Sequence, residues 1–455
     1  MNAANPGFDA AMRLYRAGRL EEALAAFDAL LASNPGLAPA RSLRGLTRCH
    51  LGDFAGGISD LREAVRMAPR EPAMHANLGM VLFVQDQLPE ANEVLRKALV
   101  LNPRQADALS NLSLVLRAQG DFGGAERAAR AALAARPGYP EATVNLGYAL
   151  VAQGKFAEGW EALSFRPHPQ VNLRDPGLRV TVPHDAALPP AGTPAIVHGE
   201  QGLGDTLFLL RFAPQLRARG HRLAFWGDAR LHPLLARTGL FEHHLRPEAV
   251  PGAGLAILWA GDLPRLLGAS DPAAFPPPLA LTTDPVRLGG MRARLAAWGP
   301  APYVGITWRA GLERKGKVAL AKEVPPRLLG AALAPARATF VSVQRNPRAE
   351  EWAEAAQALG APLHDAGFAN EDLDDALAIM ALLDDYVGVS NTNMHLRAGL
   401  GRRARVLVPF PPEWRWLERA ERSPWFPHWP LYRQSATGDW SAALEGVRAG
   451  VLGAN

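Results

Sequence analysis

The sequence predicts two kinds of fold in one chain: an all-helical repeat array, followed by an α/β region built as two halves. Residues recur at a fixed spacing of 34 through the first third of the chain, and this period stops after Trp160. Beyond that point, short apolar runs alternate with helix-length segments. Such alternation is typical of parallel strands joined by crossover helices.

Four series of residues mark the repeat, and each keeps the same spacing. The series are Pro35, Pro69, Pro103 and Pro137; Gly18, Gly52, Gly120 and Gly154, with Asp86 in the missing place; Gly45, Gly79, Ser113 and Gly147; and Ala23, Gly57, Ala91, Ala125 and Gly159. Small residues let two antiparallel helices approach, glycine turns the chain and proline follows the second helix. The series resemble the tetratricopeptide repeat. We expect an α-solenoid of about four and a half units over residues 1–165, with a concave peptide-binding face.

Asparagine recurs at one position of the first helix in three consecutive repeats, as Asn77, Asn111 and Asn145. An amide both donates and accepts hydrogen bonds, so a ladder of amides suits an extended peptide backbone. The position resembles the asparagine ladder of O-GlcNAc transferases, which implies that a protein or peptide acceptor binds here. The alternative is that asparagine is simply common in this repeat, and Leu43 breaks the series.

Composition excludes several classes of protein. Hydrophobic residues make up 48% of the 455 residues and charged residues 20%, which is typical of globular proteins. Cys49 has no cysteine partner for a disulfide or a zinc site. The net charge is +5, but the arginines are scattered, so we expect no nucleic acid partner. Without a secretory signal or a long apolar run, we expect a cytoplasmic protein with no integral membrane segment.

The α/β region divides at a second proline-rich stretch into residues 166–285 and residues 286–455. Predicted strands of the first half are 195–198, 222–226 and 255–259; those of the second half are 303–308, 339–344, 361–364, 386–390 and 405–408. Ligands of open α/β sheets bind beyond the carboxyl ends of the strands. The loops that follow these strands are therefore the candidate sites.

The first candidate loop is HGEQGLGD, in which a strand leads through a glycine-rich turn into a helix. Gln201, Gly202 and Gly204 would bring backbone close to an anion or a sugar at the helix N-terminus. The loop is neither a P-loop nor the dinucleotide fingerprint, although Asp228 ends the next strand where a ribose-binding acid would lie. Asp205 is either the helix N-cap or a general base that projects into the cleft.

The second candidate loop, GITWRAGLERKGKVALAK, follows a strand of the second half. It concentrates positive charge, because Arg309 is followed by three of the five lysines of the chain, Lys315, Lys317 and Lys322. Such a cluster suits a diphosphate leaving group. A solvated surface loop is the alternative.

The third candidate loop, VGVSNTNMHL, again leads from a strand into a helix. Ser390, Asn391 and Thr392 would offer hydroxyl, amide and backbone N–H groups to a phosphate. His395 lies in the first turn, where it is either a ligand contact or a structural histidine. The other histidines lack metal-ligand spacing and no G-x-S-x-G elbow occurs, so we expect neither a metal nor a nucleophilic serine.

Together, the motifs EQGLGD, GITWRAG, VSVQ, SNTNMHL and PPEWRWLERAERSPWFP resemble bacterial tetratricopeptide-repeat glycosyltransferases. Their α/β part is similar to heptosyltransferases and, more distantly, to O-GlcNAc transferase. The resemblance implies a two-Rossmann-half, GT-B-type fold whose C-terminal half holds a nucleotide diphosphate sugar as co-substrate, with no further cofactor. It implies a metal-independent, inverting transfer with Asp205 as base, and it adds Gln344 to the donor-binding residues. Ser390 and Asn391 stand where this family usually has aspartate and threonine.

We therefore predict transfer of a sugar to a hydroxyl group, on a protein captured by the repeats. The main alternative is an interaction scaffold whose α/β part is catalytically inactive. A nicotinamide-dependent oxidoreductase is a third reading, and it rests only on the strand-glycine-helix pattern and Asp228.

Overall fold

The computed structural model describes residues 5–166, 187–200, 202–247, 256–310 and 322–452. These residues form two compact units, one up to Ala149 and the other from Leu150 onward. The first unit is all-helical. The second contains two parallel sheets with helices around them.

The helical unit consists of antiparallel helix pairs, one pair in each repeat. The helices are α1 Pro6–Arg16, α2 Leu20–Ser33, α3 Ala38–His50, α4 Phe54–Met67, α5 Pro72–Val84, α6 Leu88–Leu101, α7 Ala106–Ala118, α8 Phe122–Ala135 and α9 Pro140–Ala152. The turn within each pair has a residue with positive φ: Gly18, Gly52, Asp86, Gly120 and Gly154. Glycine adopts this left-handed conformation without strain, which explains the regular spacing of that series along the chain.

The small residues of the other series lie where two helices touch. A methyl group added at Gly45 of α3 would lie 2.8 Å from the carbonyl oxygen of Gly57 on α4. At Gly79, the same addition would lie 2.5 Å from Leu95 Cγ. The predicted helical repeats are therefore confirmed, together with the packing reason for their small residues.

The second unit begins at Leu150, near the end of α9, and includes α10 Phe156–Leu163, the second helix of the last repeat. The predicted boundary lay at residue 165, whereas the compact units divide between Ala149 and Leu150. The difference arises because Phe156 and Trp160 of α10 belong to an aromatic cluster with Trp425, at ring-centroid distances of 5.4 and 6.0 Å. Sequence periodicity counts α10 as a repeat helix, but its packing places it in the α/β unit.

The first sheet has four parallel strands in the order β3-β2-β1-β4. The strands are β1 Ala195–His198, β2 Leu223–Trp226, β3 His243–Leu245 and β4 Ala256–Trp259; the helices are α11 Leu203–Leu209, α12 Ala213–Ala218, α13 His232–Arg237 and α14 Leu263–Leu266. Three of these strands match the predicted ones within a residue. The helical segment between β1 and β2 consists of α11 and α12, joined by a 3-10 turn at Leu210–Phe212.

The second sheet has six parallel strands in the order β10-β9-β8-β5-β6-β7. The strands are β5 Tyr303–Thr307, β6 Thr339–Ser342, β7 Leu363–Asp365, β8 Asp385–Val389, β9 Arg405–Val408 and β10 Leu431–Arg433; the helices are α15 Pro285–Trp298, α16 Pro326–Leu333, α17 Ala349–Leu359, α18 Leu373–Leu382, α19 Thr392–Gly399 and α20 Ser441–Leu452. Counted from β5, this is the doubly wound order 3-2-1-4-5-6. Its central strands are buried on both faces, as expected for a sheet covered by helices.

Both sheets lie in the same compact unit, although the sequence predicted separate halves that meet at residue 285. The carboxyl end of β1 leads into α11, and the carboxyl end of β8 leads into α19. These two helices contact each other at their first turns. The first and the third of the loops that the sequence selected as candidate sites are thereby brought together.

A prediction follows for the helical unit. Gly45→Ala should lower its free energy of unfolding by about 1–3 kcal/mol, because the added methyl group meets the backbone of α4, which cannot move aside cheaply. Urea unfolding followed by circular dichroism measures this. Gly36→Ala is the matched control, since nothing lies within 4 Å of the added methyl group. Equal stability of the two variants would contradict the tight contact of α3 with α4.

Candidate functional site

The site is built where the first turn of α11 meets the first turn of α19. Gly204 makes this possible, because a Cβ there would lie 3.0 Å from His395 Cδ2 and 3.5 Å from Thr392 Cα. The glycine was predicted to bring backbone close to a ligand, but the group it approaches is another helix of the same chain. Gly202 is the N-cap of α11, with an extended backbone.

Asp205 is the third residue of α11, so it is not the N-cap that one reading of the sequence suggested. Its carboxylate forms an ion pair with the guanidinium of Arg415 and stays 49% exposed. Desolvation opposes its charge, but the positive charges of Arg415 and Lys322 outweigh that effect and lower the pKa of Asp205. The carboxylate is therefore ionised at neutral pH, accessible, and held by a cation.

Arg415 lies on the 3-10 turn Trp414–Trp416, which follows β9. Its guanidinium group is 8% exposed and sits against the rings of Phe208 and Trp414, at 4.9 and 4.8 Å from their centroids. It also donates to Glu413 at 3.1 Å, while its buried Nε has no hydrogen-bond partner among the described residues. Two carboxylates and two aromatic faces thus stabilise one buried cation.

Glu413 extends the cluster to the second candidate loop and the third. It forms an ion pair with Lys322 and accepts a hydrogen bond from the Ser390 hydroxyl at 3.3 Å. Charges therefore alternate along four side chains: Asp205, Arg415, Glu413 and Lys322. Of the predicted residues, the structure brings Asp205, Lys322, Ser390 and His395 to this one place.

Two more side chains of this cluster, His395 and Arg211, are buried, and burial lowers the pKa of each. His395 is 6% exposed, and its Nδ1 is buried with no partner among the described residues. Burial, reinforced by Arg415, lowers its pKa well below the usual value, so the ring is neutral at pH 7. Arg211 is 1% exposed and donates to the carbonyl oxygens of Phe208 and Trp425 at 3.0 and 3.1 Å. Burial, together with Arg415, lowers the pKa of Arg211 to about 9, which still leaves it charged at pH 7.

The first turn of α19 is held by hydrogen bonds within the chain. Asn391 is the N-cap of α19: its Oδ1 accepts from the Met394 amide at 3.2 Å, and its amide nitrogen donates to the Tyr386 hydroxyl at 3.0 Å. Its side chain is therefore committed to capping, where the sequence suggested an amide presented to phosphate. Thr392 is partly exposed and begins the helix.

Arg309 and Gln344 form a second group, apart from the cluster of Asp205. Arg309 binds Glu351 at 2.8 Å and is 14% exposed, so its charge is already paired. Gln344 is buried, and its Oε1 accepts from the amides of Trp308 and Arg309 at 3.1 and 3.0 Å, which ties the end of β6 to that of β5. The group borders a cavity of about 390 Å³, which Glu323, Glu350 and Glu354 also line. Gln201, Lys315 and Lys317 lie outside the described residues.

The carboxyl ends of β1 and β4 are filled by the chain itself. The guanidinium of Arg166 binds Asp262 at 2.6 Å and Glu200 at 3.1 Å, and Glu200 also accepts from the Gly261 amide at 2.8 Å. Asp228 caps the short helix that follows it and pairs with Arg230 at 2.7 Å. Asp228, the candidate ribose-binding acid, is therefore already paired with a cation.

The asparagine series lies on consecutive first helices, and each amide nitrogen bonds to the preceding repeat. Asn77 donates to Ser42 Oγ at 3.0 Å, Asn111 to the Ala76 carbonyl oxygen at 3.4 Å, and Asn145 to Ser110 Oγ at 3.1 Å. The ladder therefore connects the repeats, a role that the sequence did not suggest. A stripe of half-buried apolar side chains runs beside it with the same spacing: Leu46, Met80, Leu114 and Tyr148.

Sequence reasoning missed Glu413, Arg415 and Arg211. Glu413 and Arg415 belong to the PPEWRW segment, which contributed to the family resemblance but whose residues were given no role. Arg211 lies on the 3-10 turn that follows α11, and its place in the sequence gave no sign that it is buried against carbonyl oxygens. Among the described residues, no group of three or more His, Cys, Asp or Glu side chains could hold a metal ion, and no helix is both long and apolar enough to cross a membrane.

Comparison with known proteins defines the class of the helical unit. Residues 8–72, 43–108 and 110–163 match the tetratricopeptide repeat family model. This N-terminal part therefore carries tetratricopeptide repeats, and such repeats suit binding of a protein or peptide.

Individual relatives match in part. Protein FlbA of Caulobacter vibrioides is 27% identical over 314 residues, which cover 63% of this chain and 51% of FlbA. The chain thus spans about half the length of this curated relative. A thermophilic tetratricopeptide repeat protein of Thermus thermophilus is 25% identical and covers 34% of this chain and 86% of its own, with a TM-score of 0.32. MamA of Desulfovibrio magneticus is 19% identical, and the match covers 36% of this chain and 94% of MamA, with a TM-score of 0.31.

The Arg309 group makes a prediction about acid stability. Burial opposes the charge of Glu351, but hydrogen bonds from Arg309, Arg348 and Trp308 outweigh it and lower the pKa of Glu351 to about 2. A depressed folded pKa stabilises the fold above the unfolded pKa, near 4.3, and this contribution is lost as the pH falls towards 2. Glu351→Gln should therefore lower the free energy of unfolding by about 3 kcal/mol at pH 7, and by progressively less between about pH 4.3 and pH 2.

Urea unfolding at a series of pH values measures this difference. Glu350→Gln, at the exposed neighbouring carboxylate, is the control and should change stability by less than about 0.5 kcal/mol. A Glu351→Gln effect that does not vary with pH would show that the carboxylate contributes through its shape alone.

Proposed function

We propose that the chain is a glycosyltransferase that moves a sugar from a nucleoside diphosphate donor to a hydroxyl group. The observation that carries this proposal is the cluster at the first turns of α11 and α19. There a half-exposed carboxylate, Asp205, lies beside the cations Arg415 and Lys322 and the neutral His395. A carboxylate for proton removal and cations for a leaving group are the two requirements of such a transfer.

The charge balance of the cluster favours an anionic ligand. Arg415 and Lys322 offset Asp205 and Glu413, while Arg211 adds a buried positive charge that has only carbonyl oxygens as partners. Burying an uncompensated charge is costly, so a diphosphate nearby would stabilise this arrangement. The first turn of α19 adds backbone N–H groups, which also favour a phosphate.

The sheet topology supports the same position for the donor. In the six-stranded sheet the strand order reverses between β5 and β8, and ligands of open α/β sheets bind at such a switch point. Ser390 follows β8, and Trp308 follows β5. Two parallel sheets, each with its own switch point, agree with a GT-B-type arrangement. The carboxylates around the cavity beside Trp308 would suit the hydroxyl groups of a ribose.

Ser390 stands where the resembled family has an aspartate, and a neighbouring residue supplies a carboxylate instead. Glu413 accepts a hydrogen bond from the Ser390 hydroxyl, so a carboxylate lies beside the residue that replaces the expected aspartate. In the proposed mechanism, Asp205 removes the proton of the acceptor hydroxyl, and the cations stabilise the departing diphosphate without a metal ion. The anomeric configuration inverts, because attack is direct.

A scaffold without catalytic activity is the second candidate function. The observation in its favour is the ion pair of Asp205 with Arg415, which opposes the use of Asp205 as a base. The scaffold reading predicts no effect of nucleoside diphosphates on thermal stability. The transferase reading predicts stabilisation, about 2.7 kcal/mol at 100 times the dissociation constant.

The decisive variant is Asp205→Asn, measured with the nucleotide sugar that gives the largest thermal stabilisation in a panel. It should lower turnover by about 10²–10⁴-fold, because asparagine keeps the shape but accepts no proton. Release of nucleoside diphosphate in the presence of a protein acceptor reports turnover. Asp228→Asn, which removes a partly exposed carboxylate beside the same sheet, is the control and should turn over normally. Turnover above about a tenth of the wild-type rate in Asp205→Asn would remove this residue from the mechanism.

We propose further that the asparagine series presents the protein acceptor. Replacing Asn77, Asn111 and Asn145 together by alanine should impair transfer to a protein while slow hydrolysis of the donor continues. Ser42→Ala with Ser110→Ala is the matched control, because it removes hydrogen bonds between repeats and leaves the amides in place. If the control impairs transfer as strongly as the triple variant, the amides act only by joining the repeats.

A further inference from the structure

The arrangement around Asp205 has a consequence for the order of events at the site. In the structure, Asp205 and Arg415 neutralise each other, and so do Glu413 and Lys322. Both cations that a diphosphate would use are therefore held by carboxylates. The carboxylate that would act as base is likewise held by a cation, and a paired carboxylate of low pKa is a poor proton acceptor.

The side chain of Arg415 is placed so that it can change partners. Its planar guanidinium lies against the rings of Phe208 and Trp414, which contact its faces and leave its edges to bind oxygen atoms. The edge already spans two carboxylates, Asp205 through Nη2 and Glu413 through Nη1. Asp205 is the accessible partner at 49% exposure, whereas Glu413 is 9% exposed.

We propose that Arg415 is a gate for the catalytic base: a donor diphosphate draws the Arg415 guanidinium away from Asp205, and only then is Asp205 free to accept a proton. This inference rests on the proposed transferase function and adds Arg415 to its substrate-binding residues. Lys322 makes the same exchange, from Glu413 to the diphosphate. Arg211 is held by two carbonyl oxygens and remains in place, a fixed positive charge that attracts the anion.

The chemical step then balances as follows. The acceptor oxygen forms a bond to the anomeric carbon as the bond from that carbon to the diphosphate oxygen breaks, and the electron pair stays on the diphosphate. The acceptor proton passes to Asp205. Arg415 and Lys322 offset the charge of the released nucleoside diphosphate, so Asp205 stays accessible until that product leaves. The donor must therefore bind before an acceptor can be activated.

Calorimetry with nucleoside diphosphates and with inorganic pyrophosphate tests the exchange. Asp205 competes with the diphosphate for Arg415, so Asp205→Asn should tighten binding by about 5-fold. Glu413→Gln should tighten it by a similar factor through Lys322. Arg415→Met, which keeps an apolar side chain against the two rings, should weaken binding by about 10-fold or more. Asp228→Asn, which removes a carboxylate paired with Arg230, should leave the affinity unchanged.

A second readout follows the movement itself. Trp414 contacts the guanidinium that moves, so tryptophan fluorescence should change when pyrophosphate binds, and Trp414→Phe should abolish that change. If Arg415→Met does not fold, the two carboxylate variants still decide the question, since they leave both cations in place.

The outcomes separate this inference from the proposed function. Failure of the wild-type chain and of Asp205→Asn to bind either probe would overturn both. Binding that is unchanged or weaker in Asp205→Asn, or unchanged in Arg415→Met, would overturn the gate alone and leave Arg415 as a strut between two elements. Tighter binding in Asp205→Asn together with weaker binding in Arg415→Met supports the exchange.

Discussion

The ion pair of Asp205 with Arg415 is the interaction on which the α/β site depends. It joins the first helix after β1 to the turn after β9, two segments that are 210 positions apart in the chain. Gly204 allows the approach, because no side chain separates α11 from His395 and Thr392. The pair therefore constrains the loops of both sheets.

Aromatic side chains provide the surroundings in which these cations stay buried. Arg211 lies against Phe208 and Phe426, at 4.4 and 4.9 Å from the ring centroids, and Arg415 lies against Phe208 as well. Phe208 thus contacts both guanidinium groups. The rings exclude water yet interact favourably with positive charge, so the cations keep their charge without a full set of acidic partners. A site with spare positive charge can form in this way inside a well-packed unit.

The sequence predicted the fold well where the pattern was local. The repeat spacing identified the helical unit, and eight strands lie within about two residues of their predicted positions. The two strands that were missed, His243–Leu245 and Leu431–Arg433, are three-residue edge strands with partly exposed side chains, so they lack the apolar run that marks a buried strand. A short edge strand forms because it hydrogen-bonds to the neighbouring strand, and a single sequence does not show which strand that is.

The candidate site was predictable only in part, for a related reason. The turns around Asp205, Ser390 and His395 have local signatures, and the structure brings them together. The partners of charged residues have no such signature. Arg309 pairs with Glu351, 42 positions away, and Glu351 lies on α17, which belongs to none of the candidate loops. Likewise, the amide nitrogens of Asn77, Asn111 and Asn145 each bond to a residue 35 positions earlier.

The position of α10 has a consequence for how proteins of this architecture can diversify. Its residues follow the repeat pattern as far as residue 163, yet Phe156 and Trp160 contribute to the aromatic core of the α/β unit. By its sequence pattern α10 belongs to the repeats, whereas by its packing it belongs to the α/β unit. Duplication or loss of the last repeat would therefore alter the α/β unit as well as the repeat array. Recombination at the apparent repeat border would remove part of the α/β unit's own core.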